Sequence, residues 1–327
     1  MTRAVDLAKR AVITTEDLTN IPSGAKNLII NGDMSIWQRG TSFSATGTDY
    51  TADRWQTQGQ VWTGTRSTDV PDDFQYSLDI TSGSGSYGSF GQKIEAVNCK
   101  HLVGKTVTLS FYSKAVSGET NCYVLLKVPS AEDNWTSSSN ISTQSISDIG
   151  STWTKHSFTF TNLPSSVATG LLVMIFHGIG QTTQRRYTGF QLEVGDTATP
   201  FEHRPYDMEL ARCKRYYEKS YPIGTFAGST VVAGRRQMGG SNVSATTSFL
   251  SGPIITFEVE KRTTPTIVLY DSAGNSGKCV RYQLGLGDSQ NENITALDIG
   301  STGLYTYSAS GASRSGVGVH FTADAEL

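Results

Sequence analysis

The stretch KTVTLSFYSKAV, residues 105–116, decides the fold class. Val107, Leu109 and Phe111 alternate with threonine and serine, and we expect Tyr112 to lean toward the same side. The stretch HSFTFT, residues 156–161, repeats this pattern with two phenylalanines. A period of two residues is typical of a strand with one face on a core and the other in water. The two stretches therefore predict antiparallel sheets that are covered on one side.

Similar stretches recur between residue 27 and about residue 205 and predict about ten strands without a long helix. They are residues 27–37, 53–58, 60–67, 75–81, 89–97, 105–116, 121–128, 152–162, 170–178 and 187–195. LLVMIF, residues 171–176, is apolar without alternation, which predicts a central strand buried on both faces. Stretches rich in glycine, serine and threonine at 40–49, 82–88 and 136–151 are predicted to be loops. Together these features predict an antiparallel β-sandwich, or jelly roll, over residues 27–206.

The sequence DMELARCKRYYEK, residues 207–219, interrupts the strand pattern and predicts a short linking helix. Pro205 precedes this segment and Asp207 is suited to cap it. Met208, Ala211 and Tyr216 recur at helical spacing. They are candidate oligomer contacts, and the alternative is that they pack on their own sandwich.

The two ends of the chain complete an all-β organisation. Residues 220–327 return to strand-like stretches and predict a second, smaller all-β domain. Residues 1–26 form an N-terminal arm in which Val5, Ala8 and Val12 recur at helical spacing. A helix this short needs a partner surface, so we expect a virion anchor or an oligomerisation arm, with a frayed tail as the alternative.

Charge and composition argue against two classes of partner. The 327 residues include 27 basic and 29 acidic side chains, a formal net charge of −2. A nucleic-acid-binding protein usually carries a clustered basic face, so no nucleic-acid partner is expected. No stretch of 18 or more apolar residues occurs, so membrane insertion is not expected. The N-terminus lacks the apolar core of a signal peptide.

Motifs for catalysis are missing from the sequence, and we expect no enzyme activity. The five histidines are scattered and do not form H-x-H or H-E-x-x-H, and no G-x-S-x-G is present. Gly83 to Gly88 fit G-x-G-x-x-G, but the following segment predicts a strand where a dinucleotide site needs a helix. A pair of distant carboxylates for sugar hydrolysis is the alternative that spacing leaves open. The four cysteines are expected to be reduced and structural, with a Cys99–Cys122 disulfide as the alternative.

Aromatic residues in polar surroundings are the candidate carbohydrate contacts. Trp62 and Trp135 lie among polar residues near loops, and Tyr87 lies in the 82–88 stretch. An exposed aromatic face suits the apolar face of a pyranose ring. The alternative is partial burial at a subunit contact.

One pair of carboxylates is a candidate structural Ca²⁺ site, and no other cofactor is expected. Asp33 lies in the first predicted strand and Glu193 in the last, so the two would meet if the ends of the sandwich pair. The alternative is an ion pair of Glu193 with Arg39 or Arg54.

Four stretches resemble parts of bacteriophage tail-fibre and receptor-binding proteins. NLIINGDMSIWQRGTSF (27–43) with YTADRW (50–55) resembles the opening of a module common in these proteins. YTGFQLEVGDTATPFEHRPYDMELARCKRYYEKSY (187–221) resembles its closing strand and short helix. PTIVLYDSAGNSG (265–277) and FTADAEL (321–327) resemble the distal domain. The first domain is also similar to the carbohydrate-binding jelly rolls attached to glycoside hydrolases.

The resemblance implies a virion protein, assembled in the host cytoplasm, that attaches to host surface polysaccharide or lipopolysaccharide. It implies a homotrimer, and we expect residues 1–26 to contact other virion proteins. Met208, Ala211 and Tyr216 are the candidates for lining the threefold axis, with packing on their own sandwich as the alternative. Three alternatives stay open: a head fibre on the capsid, a free carbohydrate-binding module that is a monomer, and a polysaccharide-cleaving enzyme.

Overall fold

The computed structural model describes most of the chain after residue 25. The described ranges are residues 26–45, 47–59, 62–83, 87–118, 121–147, 150–177, 182–243, 249–283, 287–309 and 314–327. The predicted N-terminal arm lies outside them except for Lys26.

Strands dominate the described residues. The strands are β1 (Ser42–Ala45), β2 (Asp49–Tyr50), β3 (Gln56–Gly59), β4 (Trp62–Ser67), β5 (Ser77–Ser82), β6 (Gly88–Ile94), β7 (Val107–Ser117), β8 (Cys122–Ala131), β9 (Asn134–Ile146), β10 (Thr154–Phe160), β11 (Leu171–His177), β12 (Thr183–Val194), β13 (Tyr217–Lys219), β14 (Arg236–Val243), β15 (Phe249–Ser251), β16 (Ile255–Thr256), β17 (Thr266–Tyr270), β18 (Lys278–Gln283), β19 (Gly287–Asn293), β20 (Thr295–Leu297), β21 (Gly303–Ala309) and β22 (Arg314–Asp324). The helix α1 spans Tyr206–Lys214, and short 3₁₀ helices cover Ala96–Asn98, Lys100–Leu102 and Ser165–Thr169.

The first twelve strands form two six-stranded antiparallel sheets. Sheet A has the order β1-β4-β5-β12-β7-β10, and sheet B has the order β2-β3-β6-β11-β8-β9. The largest hydrophobic core includes inward-facing side chains from both sheets, such as Leu109 and Phe111 from β7 and Val173 from β11. The predicted all-β sandwich with one short helix is therefore confirmed.

Tyr112 corrects the prediction for β7. Val107, Leu109 and Phe111 lie in the core as expected. The Tyr112 side chain instead lies on the opposite face of sheet A, since successive side chains of a strand alternate. Its ring centroid is 5.5 Å from that of Phe74.

Strand β11 is central, as the LLVMIF sequence predicts. It pairs with β6 on one side and β8 on the other. Leu171, Val173 and Ile175 belong to the core between the sheets. Leu172 and Met174 point to the outer face of sheet B and are nevertheless buried, with only 5% and 6% of their surface exposed. The second apolar face of this strand is part of the outer surface of sheet B.

The predicted strand at residues 27–37 is wrong because side chains take over its backbone hydrogen bonds. Asn31 has a φ of 56°. Its Nδ2 donates to the carbonyl of Ile36 at 2.9 Å and to that of Asp53 at 3.0 Å, and its Oδ1 accepts from the Ile36 amide. Asparagine commonly builds such local turns in place of a strand ladder.

Two loop predictions are also corrected. Most of 136–151 is strand β9, which pairs with β8 at the edge of sheet B. Its serine, threonine and asparagine side chains are mostly exposed, as is common for an edge strand that must stay soluble. The stretch 40–49 contains β1 and the start of β2. Neither segment carries the apolar alternation that reveals a strand in sequence.

The helix is shorter than predicted. It ends at Lys214, and Tyr217–Lys219 form β13, which pairs with the C-terminal strand β22.

Strand β22 is also hydrogen-bonded to β14, β17 and β18. A second core of side chains such as Leu269, Val319 and Phe321 lies around these strands. The sequence ITFEVE, residues 255–260, alternates like a strand but is one only at Ile255–Thr256.

The four cysteines are buried and free, so the alternative Cys99–Cys122 disulfide is not formed. Within the described ranges, we find no helix with the length and apolarity that a membrane span requires.

The end of the chain returns to the first sandwich through buried ion pairs. We call Arg39, Arg54, Asp324 and Glu326 the C-terminal clasp. Arg54 is an almost fully buried guanidinium that pairs with Glu326 and donates to the carbonyl of Lys93 at 2.7 Å. Arg39 lies 3.1 Å from Asp324 and 3.3 Å from Glu326.

Two tyrosine rings complete the packing of the clasp. The Arg54 guanidinium carbon lies 3.4 Å from the ring centroid of Tyr216, and that of Arg39 lies 3.7 Å from the centroid of Tyr217. Cation–π contacts of desolvated arginines contribute more than exposed ones. The clasp therefore joins the first sandwich to the segment that leads into β13.

Replacing Glu326 with glutamine should strongly destabilise the fold. Glu326→Gln leaves the Arg54 guanidinium buried without its counter-charge, and breaking a buried pair in this way costs about 3–5 kcal/mol. Urea denaturation of the purified chain measures the loss. The matched control is Glu132→Gln, which breaks the exposed Lys100–Glu132 pair and should cost about 0–1 kcal/mol. Equal effects of the two variants would contradict the role of the clasp.

Candidate functional site

The outer face of sheet B is the candidate site, and strand register organises it into three rows. The first row is Gln58, Ser89, Phe176, Tyr123 and Ser145. The second row is Gln56, Gly91, Met174, Leu125 and Thr143. The third row is Lys93, Leu172, Lys127 and Asn140. These side chains share a face because directly paired residues of antiparallel strands point the same way.

An aromatic group marks one end of this face. The ring centroids of Tyr87 and Phe176 are 6.1 Å apart with 25° between the planes, a stacked arrangement. Tyr123 lies on the other side of Phe176, at 6.5 Å between centroids. Tyr87 is 40% exposed, and the other two rings are half-buried. Three neighbouring rings therefore stand at the first row.

The floor in the middle of the face is low and apolar. Leu172 and Met174 form it with Leu125. Gly91 cannot be replaced by a larger residue here, since a Cβ would lie 2.4 Å from the carbonyl oxygen of Val173. Amide and hydroxyl side chains border this floor on the β3 and β9 sides. They are Gln56, Gln58, Asn140, Thr143 and Ser145.

A tryptophan and a lysine mark the other end. The Lys93 ammonium lies 5.6 Å from the ring centroid of Trp135. Burial, together with the charges of Arg54 and Arg262, lowers the pKa of Lys93 to about 8. The Nε1 of Trp135 is buried and has no hydrogen-bond partner in the described part of the chain. Lys93 also donates to the carbonyl of Leu327, which places the C-terminus beside this end of the face.

The structure thus brings two of the three predicted carbohydrate contacts to one face. Tyr87 and Trp135 lie at opposite ends of it, and along β11 the four steps from Leu172 to Phe176 span about 13 Å. Trp62 is elsewhere. It pairs with Ser82 on β5, on the same face of sheet A as the core residue Ile80.

The burial of Trp62 corrects the expectation that its ring faces water. Trp62 is 2% exposed, and its Nε1 donates to the carbonyl of Gly47 at 3.3 Å. Sequence reasoning also missed Phe176 and Tyr123. The available signal was the non-alternating LLVMIF stretch, because a strand that is apolar on both faces needs a covered or ligand-binding second face.

The two carboxylates of the candidate calcium pair each bond to neighbouring residues, and among the described residues no group of three or more potential metal-ligating side chains is found. The Glu193 carboxylate accepts hydrogen bonds from the Thr199 amide at 2.9 Å, the Thr199 hydroxyl at 2.7 Å and Gln191 at 2.8 Å. Asp33 instead accepts from the amide and hydroxyl of Ser35. The alternative ion pair of Glu193 is not formed either, since Arg39 and Arg54 belong to the clasp.

The three candidate oligomer contacts, Met208, Ala211 and Tyr216, differ in their burial. Tyr216 is buried, and its hydroxyl donates to Glu95. Burial raises the pKa of Tyr216 to about 12. Tyr216 therefore packs on its own sandwich, the alternative given above. Met208 is exposed and Ala211 is half-buried.

Comparison with known proteins finds matches among solved structures only. No protein-family model matches the sequence, and no curated protein matches it. Among solved structures, the enzymatically active domain of bacteriophage CBA120 tailspike protein 4 is 14% identical at a TM-score of 0.35, over 53% of this chain and 22% of that chain. The chain therefore spans about a fifth of the tailspike structure that it matches.

Carbohydrate-binding modules are also among the structural neighbours. The CBM22-1 xylan-binding domain of Paenibacillus barcinonensis Xyn10C is 12% identical at a TM-score of 0.32, over 53% of this chain and 96% of that one. A CBM4 structure is 18% identical at a TM-score of 0.31, over 50% and 98% of the two chains.

His177, behind the aromatic end of the face, should make stability depend on pH. It is buried, its Nε2 lies 2.8 Å from the Tyr187 hydroxyl, and burial together with Arg185 lowers its pKa to about 3. Between pH 6.5 and 3 only the unfolded chain binds this proton, so the free energy of unfolding should fall as the pH is lowered. The slope approaches about 1.4 kcal/mol per pH unit.

Urea denaturation between pH 4.5 and 7.5 measures this dependence. His177→Gln should flatten it, whereas His101→Gln, at an exposed position, should leave it unchanged. Parallel curves for wild type and His177→Gln would contradict the assignment.

Proposed function

We propose that this chain is a non-catalytic, glycan-binding virion protein of a bacteriophage, of the tail-fibre or receptor-binding class. The outer face of sheet B is its glycan-binding surface. The observation that carries the proposal is the combination of three adjacent rings, an apolar floor and a border of amides and hydroxyls. This arrangement resembles the general chemistry of a carbohydrate site, where aromatic rings and a few polar groups share the lining.

The chemistry of a pyranose matches this surface. One face of the sugar ring presents C–H groups, which pack on the exposed Tyr87 ring and on Phe176. The hydroxyls at its edge need hydrogen-bond partners when water is removed. Gln56 and Gln58 on one side and Thr143 on the other supply donors and acceptors. The three rows follow one another along the face, so it suits a segment of a polysaccharide chain.

Binding of a glycan to one such face is expected to be weak, with a dissociation constant around millimolar. Several copies on one particle multiply such affinities through effective concentration. A homotrimer would present three equivalent faces in a fixed geometry. An attachment protein of this kind does not need a catalytic residue.

The virion assignment rests on the resemblance of residues 27–55 and 187–221 to tail-fibre and receptor-binding proteins. In the fold these two stretches pack against each other. The Asn31 amide donates to Glu209, and Arg204 donates to the carbonyl of Ile29 at 3.0 Å. The two stretches that resemble phage proteins therefore hold the fold together, whereas most of the candidate glycan contacts lie outside them.

Removing one ring of the aromatic group should weaken glycan binding about tenfold, since an aromatic contact contributes about 0.5–1.5 kcal/mol beyond its buried area. Tyr123→Ala and Phe176→Ala are the test variants, and a glycan array followed by calorimetry on the best ligand is the measurement. Tyr112→Ala is the matched control, because this tyrosine lies on the outer face of sheet A. Equal losses for Tyr112→Ala and Tyr123→Ala would contradict the assignment of the face.

The oligomeric state tests the virion part of the proposal. Light scattering of the full chain should give about three times the 35.3 kDa of one chain. A chain that begins at Asn27 should still be a trimer, at three times its own smaller mass, if residues 1–26 serve as the virion anchor. A monomer in both cases would contradict the fibre assignment and favour a free carbohydrate-binding module. Shortening of the bound polysaccharide by the purified protein would favour the enzyme alternative.

A further inference from the structure

A second groove lies where the first sandwich meets the residues that follow α1. We call it the junction groove, and its volume is about 300 Å³. Six of its lining residues come from separate parts of the chain. They are Thr41, Arg66, Gln75, Tyr76, Tyr206 and Phe226. None of the residues lining the groove belongs to sheet B.

Aromatic rings from four segments line this groove, and the indole of Trp37 is one of them. Tyr76 precedes β5, Tyr206 begins α1, and Phe226 lies in the turn after β13. Tyr206 is 49% exposed although it lies between packed elements. A concave surface with several rings and a few polar groups is typical of a small-ligand site.

Arg66 adds a positive charge without a protein counter-ion. Its guanidinium carbon lies 4.4 Å from the ring centroid of Tyr76. Among the described residues no carboxylate lies within ion-pair distance of Arg66, whereas Arg39 and Arg54 nearby are both paired. Asp69, three residues further along, is held by Lys114 at 2.7 Å and by Arg186. The planar guanidinium is therefore available for a carboxylate, which it binds with two parallel hydrogen bonds.

The walls of the groove are held in place from behind. The Lys219 ammonium donates to the carbonyls of Ile223 and Thr225, at 3.1 and 2.6 Å, and so fixes the turn that carries Phe226. On the other side, Gln38 Nε2 donates to the carbonyl of Tyr217 at 2.9 Å. A site whose walls are fixed before binding loses less entropy when the ligand arrives.

We infer that the junction groove binds a sugar residue that carries a carboxylate, such as a uronic acid. The carboxylate pairs with Arg66, and the sugar ring packs on Tyr206 and Phe226. Gln75 and Thr41 form hydrogen bonds with the sugar hydroxyls. This site goes beyond the proposed glycan face on sheet B and stands if that face binds nothing.

The test uses a galacturonic acid trisaccharide and its carboxyl-reduced, neutral counterpart as probes. Saturation-transfer NMR and calorimetry on the full chain measure both affinities. We expect the acidic probe to bind at least tenfold more tightly, and added salt to reduce this preference. Arg66→Gln should abolish the preference, and Tyr206→Ala should weaken binding of both probes at this site.

Arg212→Gln is the matched control. Arg212 also has no carboxylate within ion-pair distance among the described residues, but it lines a different cleft. Its replacement should leave the preference unchanged, and thermal denaturation should show that the Arg66 and Arg212 variants stay folded. The inference is overturned if wild type does not prefer the acidic probe, or if Arg212→Gln removes the preference as Arg66→Gln does.

Tyr123→Ala separates the two sites. Loss of the acidic preference in this variant would assign the carboxylate to sheet B and overturn the junction site. A preference that survives Tyr123→Ala and is lost in Arg66→Gln supports the junction site, whatever the sheet B face does with neutral glycans.

Discussion

The buried contact of Arg54 with Glu326 constrains much of the molecule. A guanidinium in the interior is tolerated only when it is paired and hydrogen-bonded. Arg54 meets this condition with Glu326, the Lys93 carbonyl and the Tyr216 ring. Because one partner stands near the end of the described chain and the others stand near β6 and α1, the C-terminal residues must return to the first sandwich.

This return connects the two candidate binding surfaces. Lys93 lies on the outer face of sheet B beside Trp135, and its backbone carbonyl accepts from Arg54. The carbonyl of Tyr217 accepts from Gln38 and its ring contacts Arg39, and Trp37 beside Gln38 lines the junction groove. The same clasp thus holds one end of the sheet B face and one wall of the groove.

The alternation of apolar and polar residues in the sequence predicted the strands that have one buried and one exposed face. Val107, Leu109 and Phe111 revealed β7 because a strand with one buried face repeats every two residues. Strand β9 carries almost no apolar residues, so nothing in its sequence distinguishes it from a loop. Residues 27–37 have a strand-like composition, yet Asn31 closes a turn there through contacts with Ile36 and Asp53, which sequence does not show.

The candidate site depended on strand register, which local sequence does not contain. Trp62 has polar neighbours in sequence, but its pairing with Ser82 directs the ring to the inner side of sheet A. Phe176 lies within an apolar stretch that predicts core, but its position on β11 places it next to Tyr87 and Tyr123. A shift of one residue in register would exchange these outcomes, since it turns every side chain to the other face.

Burial also separates the residues that hold the fold from those proposed to bind glycans. Arg54, Glu209 and Asn31 are buried and hydrogen-bonded, so substitutions there leave unsatisfied polar groups and cost stability. Tyr87 and Tyr206 are about half exposed, and replacing such side chains usually changes stability little. Because of this separation, substitutions can change the chemistry of both surfaces while the buried contacts that hold the fold stay intact.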